Sequence, residues 1–223
     1  NEPEMYNAIY KVIGTKDYVN FRLTGKIYTD PSYASGCGVW DLNKWEYSSE
    51  LIEAMGLPAD IFPEIVKSTD VIGVILPEVA EELGLSDNVS VVCGGVDNSC
   101  MALGAKAYKN GRMYNSLGSS SWIAVSSDKP LLDSAVRPYV FAHVVPGQFA
   151  SALCLTAGGT AFRWYRDQLG REFTKEAEAA GKDPYDLMTQ EAENSPLGAN
   201  RLIFNPSLGG GMPMNKSYNL RGG

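Results

Sequence analysis

A chain of 223 residues is long enough to bury a real core, as one large domain or two small ones. Its 44% hydrophobic and 20% charged residues argue against disorder, and no apolar run approaches the ~20 residues that a membrane span needs. A net charge of −7 and a pI near 4.8 argue against a nucleic-acid surface, which requires clustered Lys and Arg.

The chain opens at Asn1-Glu2-Pro3-Glu4, and the spacing of Met5, Ile9, Val12 and Ile13 predicts a helix. Thr15 can cap a second helix that carries Val19 and Leu23 and closes at Gly25. Thr29 to Asp41 is rich in turn formers and predicts a structured loop, either a plain connection or a wall of a cleft. Beyond Trp45 a helix starts at Ser48 or Ser49, presents Leu51, Ile52 and Met55 as its apolar face, and stops at Gly56. A short strand is expected over Val71 to Ile75, then a helix from Pro77 to Gly84.

The informative stretch runs from Val89 to Val125. Val89 to Val92 reads as a strand covered on both faces, ended by Cys93-Gly94-Gly95. Asp97 follows at once, and ligands of open α/β sheets sit beyond the carboxyl ends of strands. Asn98-Ser99 offers the start of a small-residue helix through Ala107. A second strand, Arg112 to Leu117, empties into Gly118-Ser119-Ser120-Ser121, whose N–H groups and hydroxyls can form a concave anion site. A carboxylate near such a nest is the minimum apparatus of phosphoryl transfer, the acid accepting the proton of the attacking hydroxyl. The plainer alternative is that Asp97 caps its helix and Gly118 to Ser121 is a hairpin turn. Spacing alone favours that alternative, because glycine-serine loops are weak signals.

Tyr139 to His143 and Phe149 to Thr156 read as strands joined through Pro146-Gly147. His143, in an apolar run with no acid at a recognisable spacing, reads as a structural histidine. Gly158-Gly159 opens a helix bearing Phe162, Trp164, Tyr165 and Leu169, and glycines there admit either a ligand or tight packing. Residues 171 to 194 read as a solvated helical hairpin broken at Asp183-Pro184, and a last strand, Leu202 to Phe204, precedes the run Gly209-Gly210-Gly211. This order implies an α/β protein whose two halves meet near Asp97.

Cysteines 37, 93, 100 and 154 form no C-x-x-C pair and read as buried free thiols of a reducing compartment. With His143 the only histidine, a zinc site of standard type cannot be assembled, whereas oxygen-ligated Mg²⁺ stays open. Asn88-Val89-Ser90 and Asn215-Lys216-Ser217 match the glycosylation pattern and, without a signal peptide, are taken as chance.

The runs KDYVNFRLTG (16–25), TDPSYASG (29–36), WD (40–41), VSVVCGGVDN (89–98), YNSLGSSSW (114–122), FAHVVPGQF (141–149) and AGGTAFRWYRDQLG (157–170) follow one another over essentially the whole chain. Together they resemble carbohydrate kinases of the FGGY family, and within it the xylulokinases. The resemblance implies an α/β, ribonuclease H-like (actin-like ATPase) fold with parts of two such domains. Residues 1–96 would be the C-terminal part of the first, sugar-binding domain, and 97–223 the N-terminal part of the second, nucleotide-binding domain. It also implies that Asp97 is the catalytic base and, with Asn98, contacts the sugar, taking its hydroxyl proton as that oxygen attacks the γ-phosphorus of MgATP. Gly118-Ser119-Ser120 matches the phosphate loop, Ser119 standing where the family usually has Thr. Gly158 and, more loosely, Phe162 match the helix start beside the nucleotide.

The implied reaction is ATP- and Mg²⁺-dependent phosphorylation of D-xylulose to xylulose 5-phosphate in the cytoplasm, with a homodimer left open and neither nucleic acid nor membrane as partner. The alternatives are a kinase of glycerol, gluconate, ribulose or fuculose, or a sugar-binding homologue that has lost transfer. The family's Asp-x-Gly-Thr phosphate turn and its glycine-rich adenine loop are expected outside residues 1–223, with Asn1-Glu2-Pro3 the tail of one family signature. The chain is therefore expected to be the middle portion of a longer kinase and not to turn over alone.

Overall fold

The structure, a computed structural model, describes residues 2–210 and 221–223. Asn1, Gly211 and the Asn215-Lys216-Ser217 pattern lie outside the described residues. The chain divides into two compact units, one of Asn1–Tyr114, Ala124–Leu132 and Pro138–Ser151, the other of Asn115–Ile123, Asp133–Arg137 and Ala152–Gly223.

The first unit begins with α1 (Pro3–Asn7) and α2 (Thr15–Thr24), then β1 (Tyr28–Thr29), α3 (Pro31–Ala34), β2 (Trp40–Asp41), β3 (Glu46–Tyr47) and α4 (Ser49–Ala54). After β4 (Glu64–Ile65) come β5 (Val71–Val74), α5 (Pro77–Leu83), β6 (Ser90–Val92) and α6 (Asp97–Gly104). Three short pairings tie these together: β1 with β4 in parallel, and β2 with β3 and β5 with β6 antiparallel. Four longer strands, β7 (Met113–Leu117), β8 (Ser121–Ser127), β9 (Tyr139–Ala142) and β10 (Phe149–Leu155), form one sheet in the order β7-β8-β10-β9. The second unit adds α7 (Gly158–Gln168), α8 (Arg171–Ala180) and α9 (Pro184–Glu193), packed α7 on α8 and α8 on α9.

Helix ends fall where local chemistry puts them. Gly25, Gly56 and Gly84 follow α2, α4 and α5 with φ of +70°, +64° and +66°, the left-handed conformation that glycine adopts without a Cβ penalty. Ser48 caps α4 by accepting from the amide of Leu51, and Pro77 opens α5.

Burial departs from expectation in several places. The helix expected over Met5 to Ile13 ends at Asn7, and Met5, Ile9 and Val12 are all exposed, so no packing sustains its apolar spacing. Gly14, not Thr15, precedes the first turn of α2, and Asp17 reaches back to the Gly14 amide. That helix buries Asp17, Asn20 and Thr24 while Val19 faces solvent, because all three polar side chains find partners inside. Of the face expected on α4 only Ile52 is buried. Thr29 to Asp41 is more than a loop: it contains α3 and ends in β2. In β6, Val92 is 51% exposed rather than covered on both faces, since the strand belongs to a two-stranded ribbon. Leu202 to Phe204 forms no strand and stays exposed. All four cysteines are free, but Cys37 and Cys100 are exposed where burial was expected.

Candidate functional site

In the first unit, the end of β6 is built around a buried ionic cluster. Asp30 (0% exposed) and Asp17 (1%) both face Lys16, whose Nζ lies 3.2 Å and 2.7 Å from their respective Oδ1 atoms. Burial alone would depress the Lys16 ammonium, but the Asp17 hydrogen bond and the charges of Asp30 and Asp17 outweigh it and hold its pKa above the ordinary lysine value. Asn20 Nδ2 and Lys16 Nζ donate to the carbonyl of Cys93 at 2.8 Å and 3.2 Å. Burial pushes the Cys93 thiol up to about 11, against the pull of Lys16, so it is neutral and inert at ordinary pH.

The other Asp30 oxygen, Oδ2, accepts from the Ser32 amide at 3.0 Å, from Ser32 Oγ at 2.5 Å and from Ser68 Oγ at 2.7 Å. Ser32 Oγ in turn accepts from the amide of Val96 at 2.9 Å. The next residue is Asp97. It begins α6 with Val96 as its N-cap, one position earlier than Asn98-Ser99, and its charge suits the positive end of the helix dipole.

Asp97 is exposed and lines a cavity of about 960 Å³ whose wall also includes Lys16, Ser32, Tyr33, Tyr47, Phe62, Cys100 and Phe141. Its Oδ1 accepts from the Asn98 amide at 2.6 Å within the first turn, but Asp97 is not the cap, since Val96 holds that position and makes no side-chain cap bond. Asn98 itself is buried: its Oδ1 accepts from Ser99 Oγ at 3.3 Å, and its carbonyl accepts from Tyr114 Oη at 2.9 Å. Burial, then the Asp97 charge, raises the Tyr114 phenol above its usual pKa. His143 is buried, accepts from the Val145 amide at Nδ1 (2.9 Å) and is held below the normal imidazole pKa by desolvation, in keeping with a structural role.

Lys16, Asn20, Asp30, Ser32 and Tyr114 were not singled out individually in the sequence. The local pattern gave no signal for them: Asp17, Asn20 and Thr24 recur at i, i+3 and i+7, a polar stripe that a solvated helix face shows equally well.

In the second unit, Gly118-Ser119-Ser120 joins β7 to β8 as a tight turn closed by the Gly118 amide on the Ser120 carbonyl at 2.8 Å. The turn is seated on the first residues of α7. Gly159 N donates to Gly118 O at 2.8 Å, and both Thr160 N and Thr160 Oγ1 donate to Ser119 O, at 3.1 Å and 3.0 Å. A Cβ on Gly159 would stand 2.5 Å from Gly118 O, and one on Gly158 would stand 3.2 Å from Ser121 N. These two glycines pack tightly against the turn. Gly118 and Ser119 remain exposed, and among the described residues neither Ser119 nor Ser120 commits its hydroxyl to a hydrogen bond. Phe162, one turn further along α7, packs its ring on Tyr185 at 5.2 Å. Among the described residues no group of three or more His, Cys, Asp or Glu is arranged to hold a metal, and no helix is long and apolar enough to cross a membrane.

The fold belongs to a known class. The ligand-bound xylulose kinase from Lactobacillus acidophilus matches at a TM-score of 0.84 and 28% identity, over 99% of this chain and 43% of that one. The chain thus has the mixed α/β, ribonuclease H-like (actin-like ATPase) fold of sugar kinases. Residues 1–104 match the FGGY family of carbohydrate kinases, N-terminal domain. The xylulose kinase of Bacillus subtilis is 31% identical over 222 residues, covering 100% of this chain and 42% of that protein. The gluconokinase of the same organism is 28% identical over 207 residues, covering 93% and 40%. The chain belongs to the FGGY family of carbohydrate kinases. It spans less than half the length of these relatives.

Proposed function

We propose that the whole protein is an ATP-dependent sugar kinase that phosphorylates D-xylulose to xylulose 5-phosphate. The observation that carries this reading is an exposed carboxylate, Asp97, on the wall of a large cavity at the end of β6, in a chain that aligns over its full length with a xylulose kinase. Asp97 would accept the proton of the sugar hydroxyl as that oxygen attacks the γ-phosphorus, ADP leaving with the electrons of the broken P–O bond.

In the same reading residues 1–96 serve the sugar and 97–223 the nucleotide. The uncommitted hydroxyls of Ser119 and Ser120 suit phosphate oxygens, with Gly158 keeping the turn on its helix. Asn98, being buried, would act through its backbone and neighbours, and Phe162 through its packing against Tyr185. Mg²⁺ would neutralise phosphate charge. The described residues form no cage for it, which fits a cation held largely by nucleotide oxygens and water. Free thiols suit a reducing, cytoplasmic setting. Because transfer needs both phosphate turns of the fold, residues 1–223 alone are expected not to turn over.

Gluconate is the second acceptor, favoured by the alignment with a gluconokinase. ADP release by the full-length protein with MgATP and a panel of D-xylulose, gluconate, glycerol, ribulose and fuculose tests the assignment. D-xylulose should give the highest kcat/KM. Sugar binding by calorimetry with no ADP release from any sugar would instead identify a binder.

A further inference from the structure

We propose that Ser32 is a positioning residue for Asp97, aiming the carboxylate through the peptide that precedes it; this rests on the kinase reading of Asp97. Residues 93 to 96 are held in place through their backbone. The Cys93 carbonyl is fixed by Asn20 and Lys16, the Cys93 amide by Asp70 O at 2.9 Å and the Gly94 amide by Ser68 O at 2.9 Å. The last link before Asp97, the Val96 amide, goes to Ser32 Oγ at 2.9 Å. A hydroxyl has one proton and two lone pairs. Ser32 directs its proton to Asp30 Oδ2, so a lone pair is left for the Val96 N–H, and the bond has a fixed polarity.

Ser32 is fully buried, as is Asp30, whose charge is held by Lys16. The contact is also close-packed from the other side: a Cβ on Gly95 would stand 2.8 Å from Ser32 Oγ. The hydroxyl of Ser68 provides the internal control. It donates to the same Asp30 oxygen but makes no bond to the Val96 amide.

Misplacing a reacting group by an ångström can cost about 10²-fold in rate. In the full-length protein, Ser32→Ala should therefore lower kcat about 10- to 10²-fold with KM for MgATP retained, and should speed amide exchange at Val96. Ser68→Ala, which keeps the backbone carbonyl that binds Gly94, should leave both kcat and Val96 exchange near wild type. If Ser32→Ala does not melt cooperatively, Ser32→Cys carries the test, since its sulfur is a weak acceptor in nearly the same shape and should give the same two effects in smaller measure. Unchanged kcat or unchanged Val96 exchange in the Ser32 variant overturns the proposal, as does an equal loss in Ser68→Ala. Wild-type turnover in Asp97→Ala strikes the underlying kinase reading instead, and is told apart because Val96 exchange still responds to Ser32→Ala.

Discussion

The amide of Gly159 donates to the carbonyl of Gly118 at 2.8 Å, so a first-turn donor of α7 is satisfied by the turn between β7 and β8. Thr160 repeats the bond on Ser119. The loop's shape is therefore set by the helix on which it sits. A methyl group at 159 would meet backbone, not a side chain that can swing away. Gly159→Ala is expected to destabilise by about 1–3 kcal/mol, the usual cost of overpacking, read as a lower urea midpoint at unchanged m-value. Gly158→Ala, with looser contacts of 3.2 Å, should cost less.

Asp97→Ala in the full-length protein is expected to lower kcat by about 10²–10⁴-fold, the usual contribution of a positioned general base, with KM for ATP little changed. Steady-state ADP release at saturating sugar measures it. Near-normal turnover would return Asp97 to the plain role of first-turn acid, which its bond to the Asn98 amide already fulfils.

Lys16→Met would leave Asp17 and Asp30 buried without their cation. Breaking a buried pair from one side costs about 3–5 kcal/mol, more than surface pairs contribute. Chemical denaturation should show a loss in that range. A midpoint equal to wild type would mean that the carboxylates do not depend on Lys16.

His143 predicts an acid limb in stability. Its folded pKa lies below the ordinary value near 6.5, so between the two values the unfolded chain binds more protons than the folded one. Stability is then fully present above that ordinary value and falls as the pH drops through the window beneath it. Protonation would also place a proton on Nδ1, which now accepts from the Val145 amide. His143→Asn offers an acceptor oxygen in a similar place without titrating. Its melting temperature should flatten across that window relative to wild type, and an undiminished slope would assign the acid limb to other groups.

Legibility divides along the range of the interactions involved. Signals confined to a few residues were readable: glycines in the left-handed conformation after α2, α4 and α5, the Ser48 cap, Pro77 at the start of α5, and the break at Asp183-Pro184 between α8 and α9. Asp97 was singled out on equally local grounds, as an acid two residues past a strand-ending glycine pair.

Burial was not readable, because it depends on partners far along the chain. The expected apolar face of α2 at Val19 is exposed, and the polar stripe opposite is buried because the Cys93 carbonyl, 73 residues from Asn20, receives its donor. Likewise the Ser32 hydroxyl meets the Val96 amide across 64 residues. The amino-acid sequence by itself settled where α2, α4 and α5 end, that Ser48 caps α4 and that Pro77 opens α5, since caps, turns and φ preferences are properties of neighbouring residues. Only the tertiary structure decided which polar side chains go inside, and that Gly158 and Gly159 pack against the turn between β7 and β8. Desolvating a polar group is favourable only when folding brings it a partner, and no local pattern specifies that partner.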